Sequence, residues 1–187
     1  MTRSPRYGLA AGFTGLCVAL CAFAWDAKAQ SEGLVQECNQ LATAVNQNAE
    51  IMADFEAEID NFAQNASQAE TLDDVKSAAK QYVDAVDNVT TSLDELVVTL
   101  DALALSDDQL SLYRDEYATV VTGFNEALTS VATAMTGVAE TETETQLPER
   151  IETLESETGL AVRQIDQLAV QESDIVEEVN THCGVNG

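Results

Sequence analysis

Apolar residues return along this chain at intervals of three and four, in four runs separated by short polar breaks. The first run is Leu34, Cys38, Leu41, Val45, Asn48, Met52, Phe55, Ile59 and Phe62. The second is Leu72, Val75, Ala79, Tyr82, Val86, Val89, Leu93, Leu96, Leu100 and Leu103. The third is Leu110, Tyr113, Tyr117, Val120, Phe124, Ala127, Val131, Ala134 and Val138. The fourth is Leu147, Ile151, Leu154, Thr158, Ala161, Ile165, Leu168, Glu172, Ile175, Val179 and His182. Such spacing brings one face of an α-helix round again, because a turn takes about 3.6 residues. It is the seam of a helix packed on other helices, as in a coiled coil. The pattern predicts helices near 32–65, 68–104, 107–139 and 147–183. Each would be about 50 Å long at ~1.5 Å per residue. Short connections force neighbours antiparallel, so the expected fold class is all-α, an up-down-up-down antiparallel four-helix bundle.

The breaks carry start signals. Ser67-Gln-Ala-Glu70 and Ser106-Asp-Asp-Gln109 both read as capping boxes, in which a hydroxyl and a longer side chain satisfy free backbone N–H groups. Pro148 suits a first helical turn, where its missing N–H costs nothing.

The N-terminus reads differently. Arg3 and Arg6 precede an uncharged apolar stretch from Gly8 to Trp25, and Ala27-Lys28-Ala29 follows. A positive lead, an apolar run and a small-x-small exit are the parts of a secretory signal. The expectation is a signal peptide over 1–29, cleavage near Ala29, and one domain over 30–187 in the periplasm or outside the cell. If uncleaved, residues 8–25 would serve as a membrane anchor. Leu16 and Leu20 precede Cys17 and Cys21, so neither cysteine has the small neighbour of a lipidation site.

Removing that segment sharpens the charge. It carries a net +2 (Arg3, Arg6 and Lys28 against Asp26), which leaves −27 on the remainder of a chain whose total is −25. Such a surface repels nucleic acid and anionic membranes. It also keeps a protein soluble at high salt, so acidity alone names no partner. Two cysteines remain, Cys38 and Cys183. The topology sets the start of the first helix and the end of the fourth at one end of the bundle, and an oxidising compartment favours pairing.

Few chemistries fit. The chain has one histidine, His182, so a di-iron site with two Glu-x-x-His pairs is excluded. There is no Cys-x-x-Cys-His for covalent haem. Met52 and Met135 lie roughly 20 Å or more along the bundle from His182 at ~1.5 Å per residue, too far for a shared haem. His182 beside Cys183 falls short of the three or four ligands a tetrahedral metal site wants. The acidic pairs Asp73-Asp74 and Asp107-Asp108 suit helix starts, and Glu177-Glu178 suits a solvated face. The alternating Glu140–Thr145 loop would gather divalent cations such as calcium weakly and diffusely. No cofactor and no catalytic residue is expected.

One internal feature departs from the apolar pattern. Asn48 and Glu172 interrupt their stripes and are expected to share a polar core layer, with Ala49, Ala85, Ala127 and Ala169 around it. The layer reads either as a register-setting device or as a small pocket with a carboxylate.

Cys-Asn-Gln-Leu at 38–41, Leu-Ala-Leu-Ser-Asp-Asp-Gln-Leu-Ser-Leu-Tyr-Arg at 103–114 and Glu-Val-Asn-Thr-His-Cys-Gly at 178–184 together resemble patches of small bacterial secreted helical proteins. The resemblance implies the same architecture and terminal disulfide, and brings no activity. The functional expectation is a non-enzymatic helical-bundle module that binds a partner protein or acts as a spacer. The alternative is a small-ligand carrier or sensor using Asn48 and Glu172.

Overall fold

The structure is a computed structural model that describes residues 32–184. The expected signal peptide lies outside the described residues. Four helices follow one another: α1 (Glu32–Ala66), α2 (Leu72–Asp101), α3 (Asp108–Ala139) and α4 (Leu147–His182). All the described regular structure is helical, as the three-four spacing predicts.

Side-chain pairs give the directions. Along α3 and α4, Asp107 meets His182, Tyr117 meets Glu172, and Ser130 meets Glu157, so one helix rises as the other descends. Arg114 bonds the carbonyl of Leu103, and Asn125 that of Thr90, which sets α2 antiparallel to α3. Asn65 bonds Gln81 across the first turn. Glu37 meets Ser106 and Asn48 meets Tyr117, so α1 and α3 run parallel. The result is the expected up-down-up-down bundle, with sequence-adjacent helices packed most closely.

Two of the helix starts differ from expectation for a local reason. α2 begins at Leu72 because Thr71, not Ser67, is its N-cap. The Thr71 hydroxyl accepts the Asp74 N–H at 3.2 Å, and the Asp74 carboxylate accepts the Thr71 N–H at 3.0 Å. Ser67 instead donates its hydroxyl to the carbonyl of Gln64 and belongs to the end of α1. α3 begins at Asp108 because Asp107 caps it, accepting the N–H groups of Gln109 and Leu110 at 3.0 and 2.9 Å. Ser106, freed from that role, faces α1. α2 ends at Asp101 and not near 104, and Leu103 and Leu105 fold back from the turn onto the core. Gly184, with φ of 74°, follows Cys183 in the left-handed conformation that favours glycine after a helix.

The core is uneven. α3 lies at its centre and buries residues on most sides, from Leu110 to Val138. α4 is longer and buries only Ala161, Ile175 and Val179 among its described residues. The largest cluster fills the disulfide end and middle, and a smaller one at the far end joins Ala79, Met135 and Val138. Tyr82 packs against all three apolar clusters, with Phe62 edge-on at 5.2 Å. Burial raises its hydroxyl to a pKa of about 12. Among the described residues no helix is long and apolar enough to cross a membrane.

Candidate functional site

Asn48 and Glu172 come together as expected. The Asn48 amide donates to Glu172 Oε1 at 2.9 Å. A third member completes the layer. Tyr117 of α3 donates its hydroxyl to the same Oε1 at 2.8 Å and accepts from the Asn48 amide at 3.1 Å. Sequence reasoning missed Tyr117 because it sits in an apolar stripe as a large core residue. The available signal was chemical: a fully buried tyrosine hydroxyl needs a polar partner, and the two polar intruders were the candidates.

The layer differs from expectation in two respects. Glu172 is half-buried, not enclosed in the core. One of the small residues expected around it, Ala127, lies elsewhere. Ala127 belongs to a cluster with Val131 and Ala161, and it lies ten residues beyond Tyr117, about 15 Å along α3 at ~1.5 Å per residue. Tyr117, fully buried, occupies the space a pocket would have needed. Desolvation raises the Tyr117 pKa, and the adjacent Glu172 carboxylate raises it further, so the phenol stays protonated and donating. Asn48 is 2% exposed, and its Oδ1 has no hydrogen-bond partner among the described residues.

The second polar cluster closes the end of the bundle. Cys38 and Cys183 form a disulfide, with both residues buried. Next to Cys38, the Glu37 carboxylate accepts the N–H groups of Ser106 and Asp107 at 3.1 and 3.0 Å, and it accepts the Ser106 hydroxyl as well. These bonds, the Ser106 hydroxyl foremost, hold the Glu37 carboxyl below the usual range. Next to Cys183, His182 Nε2 lies 3.1 Å from Asp107 Oδ1, and its ring meets Tyr113 edge-on at 6.2 Å. The Leu110 N–H, with His182 nearby, lowers the Asp107 pKa. A closed ring of contacts therefore joins α1, the start of α3 and the end of α4. With Cys183 in the disulfide, His182 has no free thiol beside it.

Elsewhere, an open cleft of about 480 Å³ lies where Asp101, Asp115, Thr122, Glu126 and Leu168 meet. Arg114 pairs with Asp115 at its edge. The Glu140–Thr145 turn is held by Gln146, whose Oε1 accepts the N–H groups of Glu142 and Thr143. No group of three or more His, Cys, Asp or Glu side chains among the described residues is placed to hold a metal ion. No family model, no curated protein and no solved structure matches this chain.

Proposed function

We propose that this protein is a non-enzymatic, extracytoplasmic helical module that works by holding a partner protein. The observation that carries the reading is the Asn48–Tyr117–Glu172 layer. Its donors face inward onto one carboxylate oxygen, and a buried tyrosine fills the space beside it. A carboxylate that accepts two internal hydrogen bonds is a structural element of the bundle and a poor general base. The disulfide and the Glu37 and His182 contacts stiffen the same end, which suits a rigid scaffold. The secretion-like N-terminus and the paired cysteines support an oxidising compartment. The carrier reading has less support, because Tyr117 occupies the layer that a ligand would enter.

Affinity capture tests the proposal. The purified, disulfide-bonded protein is immobilised and exposed to extracytoplasmic fluid of its own source. The expected result is a protein retained saturably at physiological salt and released when the folded bait is replaced by unfolded bait. Retention that vanishes at physiological salt, or retention of small molecules alone, would overturn it.

A further inference from the structure

Three helices meet at one carboxylate oxygen of the polar layer: Asn48 of α1 and Tyr117 of α3 both donate to Glu172 of α4. Stability alone does not account for this layer. Asn48 is buried, and its Oδ1 has no hydrogen-bond partner among the described residues, a cost that an apolar side chain would remove. What such buried polar groups can supply is register, the alignment of one helix along another.

Register is a real choice in this bundle. One heptad before and after Asn48 stand Leu41 and Phe55; around Tyr117 stand Leu110 and Phe124; around Glu172 stand Ile165 and Val179. All six belong to the main apolar cluster or pack against it. An apolar stripe therefore superposes on itself after a slide of one heptad, and non-directional apolar burial discriminates weakly between the two registers. The polar layer discriminates strongly. The slide would set leucine or phenylalanine against the Glu172 carboxylate and the Tyr117 hydroxyl, and both would lose the Asn48 amide. α1 depends on it most, because its backbone packs little on α3 and less on α4.

The same slide decides whether the disulfide can form. Cys38 lies ten residues before Asn48, and Cys183 eleven after Glu172, so the layer and the disulfide tie the same two helices about 15 Å apart at ~1.5 Å per residue. The Cα atoms of Cys38 and Cys183 are 6.0 Å apart. Cysteines whose Cα atoms are more than about 7 Å apart cannot be bridged without backbone movement. Sliding α1 by one heptad carries Cys38 about 10 Å along the bundle, out of that reach.

We infer that the Asn48–Tyr117–Glu172 layer is the alignment device that presents Cys38 to Cys183 for oxidation. The oxidant is a disulfide compound, for which glutathione disulfide serves as the probe. One cysteine thiolate attacks it and releases a glutathione thiolate. The other cysteine thiolate then displaces the second glutathione and closes the Cys38–Cys183 bond. Two thiols are oxidised, one disulfide is reduced, and the two thiol protons end on the two glutathione thiolates. Asn48, Tyr117 and Glu172 take no part in the exchange and are positioning residues.

The test follows closure of the reduced protein. The purified protein is reduced, refolded with reductant present and then exposed to glutathione disulfide. Free thiols are trapped with iodoacetamide and read by mass, and chains linked to one another are read on non-reducing gels. Asn48→Leu with Tyr117→Phe and Glu172→Leu makes the layer apolar. That variant is expected to keep its helical signal, to close at least about fivefold more slowly than the parent and to form more interchain disulfide, because ring closure follows the effective concentration of one thiol at the other. Glu172→Gln, which keeps the acceptor oxygen, should close within about twofold of the parent. Val131→Ala, a core truncation in a separate apolar cluster, should do the same. If the triple variant does not fold, Asn48→Leu alone is the probe, with closure slowed by about threefold. Parent-like closure in the folded triple variant, or in Asn48→Leu where that is the probe, would overturn the proposal. Slowing by Glu172→Gln or Val131→Ala as great as that of the apolar layer would overturn it as well, because loss of charge or general loosening would then suffice.

Discussion

At Glu172 the carboxylate serves as an acceptor more than as a charge. Oε1 takes the Tyr117 hydroxyl and the Asn48 amide, and a glutamine oxygen could take both. Glu172→Gln is therefore expected to change stability by less than about 1 kcal/mol, whereas Tyr117→Phe should cost about 1–3 kcal/mol by removing a buried donor. Denaturant melts of the two single variants and the double variant would measure the coupling, and a larger loss for Glu172→Gln than for Tyr117→Phe would refute the assignment. At the closed end, Glu37 is the informative residue. Its pKa is lower folded than unfolded, so its contribution is present above the ordinary carboxyl range and is lost as pH falls through the folded value. The melting temperature of Glu37→Gln should lie below that of the parent at neutral pH, and the gap should narrow as pH falls below the ordinary carboxyl range. A gap that is constant with pH would mean the carboxylate charge is irrelevant there.

Among whole elements, α2 shows how a helix chooses its start. Ser67-Gln-Ala-Glu70 and Thr71-Leu-Asp-Asp74 are both cap-like, four residues apart. The second prevails because Asp74 returns a hydrogen bond to the Thr71 N–H, which completes the capping box. Asp73 and Asp74 also sit well in the first turn of a helix dipole. Thr71→Ala should destabilise the protein by about 1 kcal/mol, and Ser67→Ala by only a few tenths. Thermal melts that ranked the two substitutions in the opposite order would return the cap to Ser67. The position of α3 has a similar logic, with one difference. Its own cap is Asp107, but a second carboxylate, Glu37, reaches it from α1.

For the molecule as a whole, the disulfide joins the start of α1 to the end of α4, residues separated by 145 positions in sequence. α1 and α4 have little backbone packing of their own, so this bond carries more of their association than it would in an evenly packed bundle. The chain-entropy treatment for a loop of this length gives about 5 kcal/mol, with measured values commonly lower. Replacing Cys38 and Cys183 with serine is expected to lower stability by about 2–5 kcal/mol and to speed hydrogen exchange first at the outer turns of α1 and α4, including Glu37 and His182. Uniform loss of protection across all four helices would show that the bond acts only through the unfolded chain.

The order of the helices was legible in the sequence, because a residue's face along a helix follows from its spacing alone. Four unbroken stripes therefore yielded four helices, their antiparallel order and the end at which Cys38 and Cys183 meet. The Asn48–Glu172 pair was legible for the same reason, as two polar residues in apolar stripes. What spacing does not encode is how far each helix slides and tilts against the next. Tyr117 joined the polar layer, and Ala127 fell about 15 Å away from it, through that relative placement at ~1.5 Å per residue. The choice of Thr71 over Ser67 as cap was local, made by the Asp74 carboxylate that returns a hydrogen bond to the Thr71 N–H. The Glu37 contact with Ser106 and Asp107, which links residues 69 and 70 positions apart, was decided by packing. The sparse backbone packing between α1 and α4 is a property of the assembled bundle, because each of those helices carries as regular a stripe as α2 and α3, and only the finished packing shows which helices meet closely.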